Sequence, residues 1–184
     1  FLIMAWVANP FAYIAMNTVI PLLPDVAAKL RLSTEAAGFL GSIWMFARLG
    51  AFFVLWRWEG WHYRFNWLVG AFVLMVASFT FLLLSPTVAA VVLAQIVFGL
   101  CVGLIYYSSL FYAMDVGETK GEHGGFHEAL IGIGLFAGPA LGAGSLWMMP
   151  DATRTGIWSV SALLATGLIT LIAIYSRTVL RHEK

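Results

Sequence analysis

Arg48 is the residue this sequence finds hardest to accommodate, because it stands within an otherwise apolar run, MFARLGAFFVL. A guanidinium surrounded by hydrocarbon costs about 2.5–3.5 kcal/mol on insertion scales unless it is hydrated or paired. Three roles are open to it: anchoring an anionic solute or a gate, snorkelling to the headgroups along its aliphatic stem, or pairing with an acid such as Asp115 or Glu128. Asn9, Tyr13 and Asn17 recur at every fourth position, so on a helix they share one stripe. Polar groups in a lipid-embedded helix turn toward the bundle interior or a wet cavity, and these three either line such a cavity or hydrogen-bond between helices. Gln95, Tyr106, Tyr107 and Ser109 make a second polar series beside Gly99 and Gly103. Phenol hydroxyls suit sugars or amphipathic aromatic compounds, and equally suit a membrane–water interface.

Glu118, Glu122, His123, His127 and Glu128 form the one cluster of titratable groups. Histidine titrates near neutrality and a partly desolvated glutamate can be raised toward it, which makes His127 and Glu128 candidates for gating or proton coupling. The alternative is a solvated loop. Two histidines four apart can ligate a metal on a regular helix, but Gly124-Gly125 between them predicts an irregular segment. The run HEALI opens like a zinc-protease helix and then places Ile131 where the second histidine is needed. No metal, cofactor or enzymatic activity is expected.

Only membrane helices can position these residues. The chain of 184 residues is 61% hydrophobic and 10% charged, with a mean hydropathy of +0.90, whereas an average soluble domain is about 25% charged. The expected fold is an all-α integral membrane protein, a single six-helix transmembrane domain over 1–184 with spans at about 2–23, 36–55, 65–84, 88–114, 126–147 and 157–175. Pro21 and Pro24 are expected to close the first span, Ser33 to start the second, and Ser85-Pro86-Thr87 to turn the chain between the third and fourth. In the fifth span Gly134, Gly138 and Gly142 make a groove for a close-packed neighbour, beside a bend at Pro139. A net charge of +1 and a single cysteine, Cys101, make no case for nucleic acid and exclude a disulfide framework. The chain opens at Phe1 inside an apolar run without a basic flank, so it reads as part of a longer protein with no signal peptide.

Arg57, Arg64, Lys120, Arg177, Arg181 and Lys184 lie on one side of the spans, and Lys29, Arg31 and Arg154 on the other. The positive-inside rule assigns the first group, with both ends of the chain, to the cytoplasm, and the location is the plasma (inner) membrane.

Local motifs extend this reading. The first span ends in Pro21-x-x-Pro24, followed by a leucine-rich polar connection and Ala37-Gly38. The second loop, LWRWEGWHYR, offers Gly60 and Arg64, with Arg57 and Trp58 in place of an acid and an arginine. The fifth span carries Gly134, Gly138-Pro139 and Gly142, followed by Ala143 instead of a glycine. With six spans, this pattern resembles one half of a major facilitator superfamily transporter. Gln95, four ahead of Gly99, stands where the first half of such proteins usually has an arginine, so the C-terminal half is the closer match; the rival is the first half of an antiporter, on the glycine-proline motif. The resemblance implies alternating access around a cavity lined by Asn9, Tyr13, Asn17, Arg48, Gln95 and Tyr106, a small-molecule solute (sugar, metabolite or drug-like), protons as one driving ion with uniport left open, and a second six-helix half, covalent or paired. The competing class is a membrane sensor or assembly module that reuses the fold without transporting.

Overall fold

The computed structural model describes residues 1–116, 120–149 and 154–182; Glu118 and Lys184 lie outside them. Six helices follow in order: α1 (Leu2–Lys29), α2 (Thr34–Arg57), α3 (Phe65–Leu84), α4 (Val88–Asp115), α5 (Lys120–Met148) and α6 (Thr155–His182). All six are long and apolar enough to cross a membrane, and no strand occurs among the described residues. The protein is all-α and its helices fit a multi-pass membrane protein. Side chains outside the helices set two of the starts: Ser33 Oγ accepts from the Ala36 N–H and Thr87 Oγ1 from the Ala90 N–H, each at 3.3 Å.

Three helices run well past their expected limits, α6 among them, which continues beyond 175 to His182. Pro21 and Pro24 do not close α1, which continues to Lys29. Both prolines sit on its exposed side while Leu23, Val26 and Ala27 on the other side are buried, so packing holds the helix where proline removes a backbone donor. Past its end, Arg31 at a φ of 56° turns the chain so that the Leu32 N–H reaches back to the Ala27 carbonyl at 3.2 Å. Likewise α5 begins at Lys120, so the segment from Glu122 through Gly124-Gly125 to Glu128 is helical and the irregular stretch expected there is not found.

In the bundle α1 and α4 are central. α2 packs mainly on α4, α5 mainly on α1, α3 on α4, and α6 on α1. Exchanging the first three helices for the last three reproduces these pairings, though the contacts α1–α3 and α5–α6 have no counterpart. α1 and α4 each span 28 residues. Asn9 stands seven residues after Leu2, the first of α1, and Gln95 seven after Val88, the first of α4. The closest crossings are made by glycine pairs four apart. A Cβ on Gly99 would lie 2.2 Å from the Trp44 carbonyl oxygen, and one on Gly103 2.8 Å from the Ala51 Cβ, so α4 and α2 meet at backbone distance. On the other flank, a Cβ on Gly134 or Gly138 would meet the Pro10 or Ile14 carbonyl of α1 at 2.6 Å. Gly142, expected in the same groove, has open space where a Cβ would stand and does not meet α1; its backbone faces Gly156 of α6, whose added Cβ would lie 3.5 Å from the Gly142 carbonyl oxygen. Pro139 is on the exposed side of a continuous α5.

The loop between α2 and α3 is fastened to the end of α4. Trp61 is buried, and its indole N–H donates to the Leu55 carbonyl at 3.2 Å. Tyr63, at φ 52°, gives its backbone N–H to the Tyr112 hydroxyl at 2.8 Å and its own hydroxyl to the Asp115 carboxylate. That bond to Asp115, with a smaller contribution from lost hydration, pushes the Tyr63 phenol up to about 12.

Candidate functional site

Arg48 reaches from α2 across to α1. Its Nη2 donates to the Tyr13 hydroxyl at 3.4 Å and its Nη1 to the Met16 sulfur at 3.5 Å, both long contacts to weak or neutral acceptors. The guanidinium carbon lies 4.8 Å from the centre of the Tyr106 ring, 5.3 Å from Phe52 and 5.8 Å from Tyr13, within cation–π range. Its Nε is buried with no hydrogen-bond partner. Of the three roles open to Arg48, snorkelling does not describe this geometry, because the head group turns inward among three helices. Nor is the carboxylate partner found: among the described residues Asp115 is taken up by Tyr63, and Glu128 is exposed.

The helix crossings explain why these side chains meet. Buried Leu40, Trp44, Ala51 and Leu55 hold one face of α2 against α4, and the glycine seat draws the backbones together at the level of Arg48: a Cβ on Gly103 would lie 3.3 Å from the Arg48 carbonyl oxygen. Tyr106, three residues beyond Gly103 on α4, therefore comes over the guanidinium. Tyr13 arrives from α1, with its ring centre 6.2 Å from that of Tyr106. A cavity of about 330 Å³ opens beside them, lined by Trp44, Met45, Arg48, Leu49, Phe52 and Tyr106.

His127 joins from α5. It is buried, its Nδ1 is 2.8 Å from the Ser109 hydroxyl of α4, and its ring centre is 5.4 Å from that of Tyr106. Its Nε2 is buried and makes no hydrogen bond. A histidine bonded through one nitrogen has a fixed orientation and keeps the other nitrogen available for a proton. Glu128, adjacent in sequence, has an exposed side chain, and its charge is close enough to act on both His127 and Tyr106. His123 is on the same helix, with its ring against Trp6, and among the described residues no three His, Cys, Asp or Glu side chains come together as a metal site would need.

The remaining expected cavity residues divide. Asn17 is half-buried and donates to the Tyr13 carbonyl of its own helix at 2.8 Å. Asn9 and Gln95 are entirely buried, and neither side-chain nitrogen nor oxygen of either has a hydrogen-bond partner. They are sequestered amides within the packed helices and do not border the Arg48 cavity. Sequence reasoning named Ser109 but not its pairing with His127, and missed Met16, Phe52 and Trp44. Trp44 and Phe52 stand four residues before and after Arg48 and so share its face of α2, a spacing that could have indicated both; Met16 and the Ser109–His127 pair depend on how separate helices cross.

No family model matches the chain, and no curated protein matches it.

Proposed function

We propose that this chain is a six-helix half of a secondary transporter of the kind the major facilitator superfamily exemplifies, probed by a small solute alternately from the two sides of the plasma membrane. The observation that carries the reading is Arg48: a permanent cation inside a membrane helix, turned into the bundle, surrounded by aromatic rings from three helices and with no carboxylate bonded to it among the described residues. A residue of that cost is typical of a solute path. Support also comes from the exchange relation between the two helix triplets, which is the internal organisation of many transporter folds. In this reading α1, α2 and α4 supply one wall of the cavity, a second six-helix half supplies the other, both ends of the chain are cytoplasmic, and the His127–Ser109 pair carries the proton when transport is coupled.

The test is uptake of a mixed metabolite and drug panel into proteoliposomes of the full-length protein, with and without an imposed pH gradient. Solute flux that responds to the gradient, and loses that response in His127→Gln, is the expected result. Absence of flux for every solute, from protein shown to be folded and oriented, transfers the function to a sensor or assembly module.

A further inference from the structure

The polar contacts of Arg48 define the chemistry of the solute, an inference that rests on the transport reading above. A guanidinium offers five N–H donors in a planar fork. Here it has two acceptors, a thioether at 3.5 Å and a phenol hydroxyl at 3.4 Å, with Nε buried and unpaired. Neither acceptor carries charge. A neutral solute such as a sugar would leave the cation uncompensated, and a cationic one would add to its field. A carboxylate accepts two parallel bonds from the same fork and supplies the opposite charge.

The walls narrow the class further. Phe52 and Tyr106 stand next to each other beside Arg48, 5.6 Å apart between ring centres, and with Trp44, Met45 and Leu49 they complete the lining this chain supplies, which holds no other charged side chain. The part of the cavity that this chain lines measures about 330 Å³, the small end of ligand sites and room for one ring and its acid group. One cation calls for one negative charge. We propose that this cavity binds a small organic monocarboxylate with a flat, apolar body, the carboxylate on Arg48 and the body against the aromatic side chains.

Two measurements on the full-length protein test this. Saturable binding of radiolabelled benzoate to the purified protein is expected, displaced by unlabelled benzoate and not by benzamide or benzylamine, which keep the ring and change only the charge. Arg48→Gln is expected to weaken benzoate binding about tenfold or more, and Arg48→Lys less, because the ammonium keeps the charge and loses the fork. Equal displacement by benzamide, unchanged affinity in Arg48→Gln, or no saturable binding by protein with a wild-type thermal midpoint overturns the proposal. Uptake of benzoate into proteoliposomes separates the two levels of inference. Benzoate binding with no flux of any solute supports this site and overturns the transport reading, whereas flux of other solutes without benzoate binding overturns this site and leaves transport standing.

Discussion

Asn9 and Gln95 each hold a whole carboxamide away from water with no hydrogen bond, a cost of about 1–3 kcal/mol for each such group. Apolar side chains of similar volume remove that cost. Asn9→Leu and Gln95→Met should therefore raise the stability of the purified protein by about 1–3 kcal/mol, read as a higher thermal midpoint in detergent. If the amides exchange partners as the helices move, the same variants should lose solute flux; stabilised variants with wild-type flux would assign both amides to packing alone. Their matched places on α1 and α4 make the comparison internal, since one position acts as the control for the other. Arg48 differs from both amides in facing a cavity, and its substitution acts on the solute before it acts on the fold.

At the scale of the element, the glycine pairs decide which helices touch. Gly99→Val places carbon against the Trp44 carbonyl and Gly138→Val against that of Ile14, where a Cβ would come within 2.2 Å and 2.6 Å. Backbone cannot step aside as a side chain end can, so each should destabilise by about 1–3 kcal/mol or more. Gly142→Ala meets nothing and should be neutral or stabilise by about 0.5–1 kcal/mol, with unfolding in detergent as the measurement; equal losses at all three positions would show that the close crossings are not what holds the bundle. Element identity was largely legible in the sequence, since runs of apolar residues between Ser33, Ser85-Pro86-Thr87 and the charged loops leave few alternatives. Element length was not, because Pro21, Pro24 and Gly124-Gly125 are helix breakers by local preference and neighbouring helices override that preference. The candidate site was legible by residue type, in Arg48, Tyr13, Tyr106 and His127. Its composition was not, because a four-residue stripe fixes one face of one helix, while Met16 and the pairing of Ser109 with His127 are brought in by crossing geometry. Gly142 illustrates the converse: it shares the stripe of Gly134 and Gly138 and misses the crossing.

For the whole molecule, exposure has two meanings: contact with lipid and contact with a wet cavity. Met45 on α2 is 57% exposed and lines the Arg48 cavity, and Ile169 on α6 is 67% exposed and lines no such cavity. With Cys101 replaced by alanine, Met45→Cys should react with a membrane-impermeant maleimide in sealed vesicles and slow when solute is bound, while Ile169→Cys stays unlabelled. Equal protection of both would mean that the Arg48 face is covered by lipid and that no aqueous path reaches it.

The pairing of helices also bears on how such a chain is made. α2 finds its glycine seat on α4, α1 finds its seat on α5, and α3 rests on α4. A ribosome therefore delivers the first three helices into the bilayer before their main partners α4 and α5 have been synthesised, and Arg48, with Tyr13, Met16 and Phe52 beside it, still waits for Tyr106. Nascent chains that stop before Val88 hold a charge with only part of its surroundings and none of the glycine crossings. They are the form that membrane quality control should recognise, which ties the survival of a partial product to the arrival of α4.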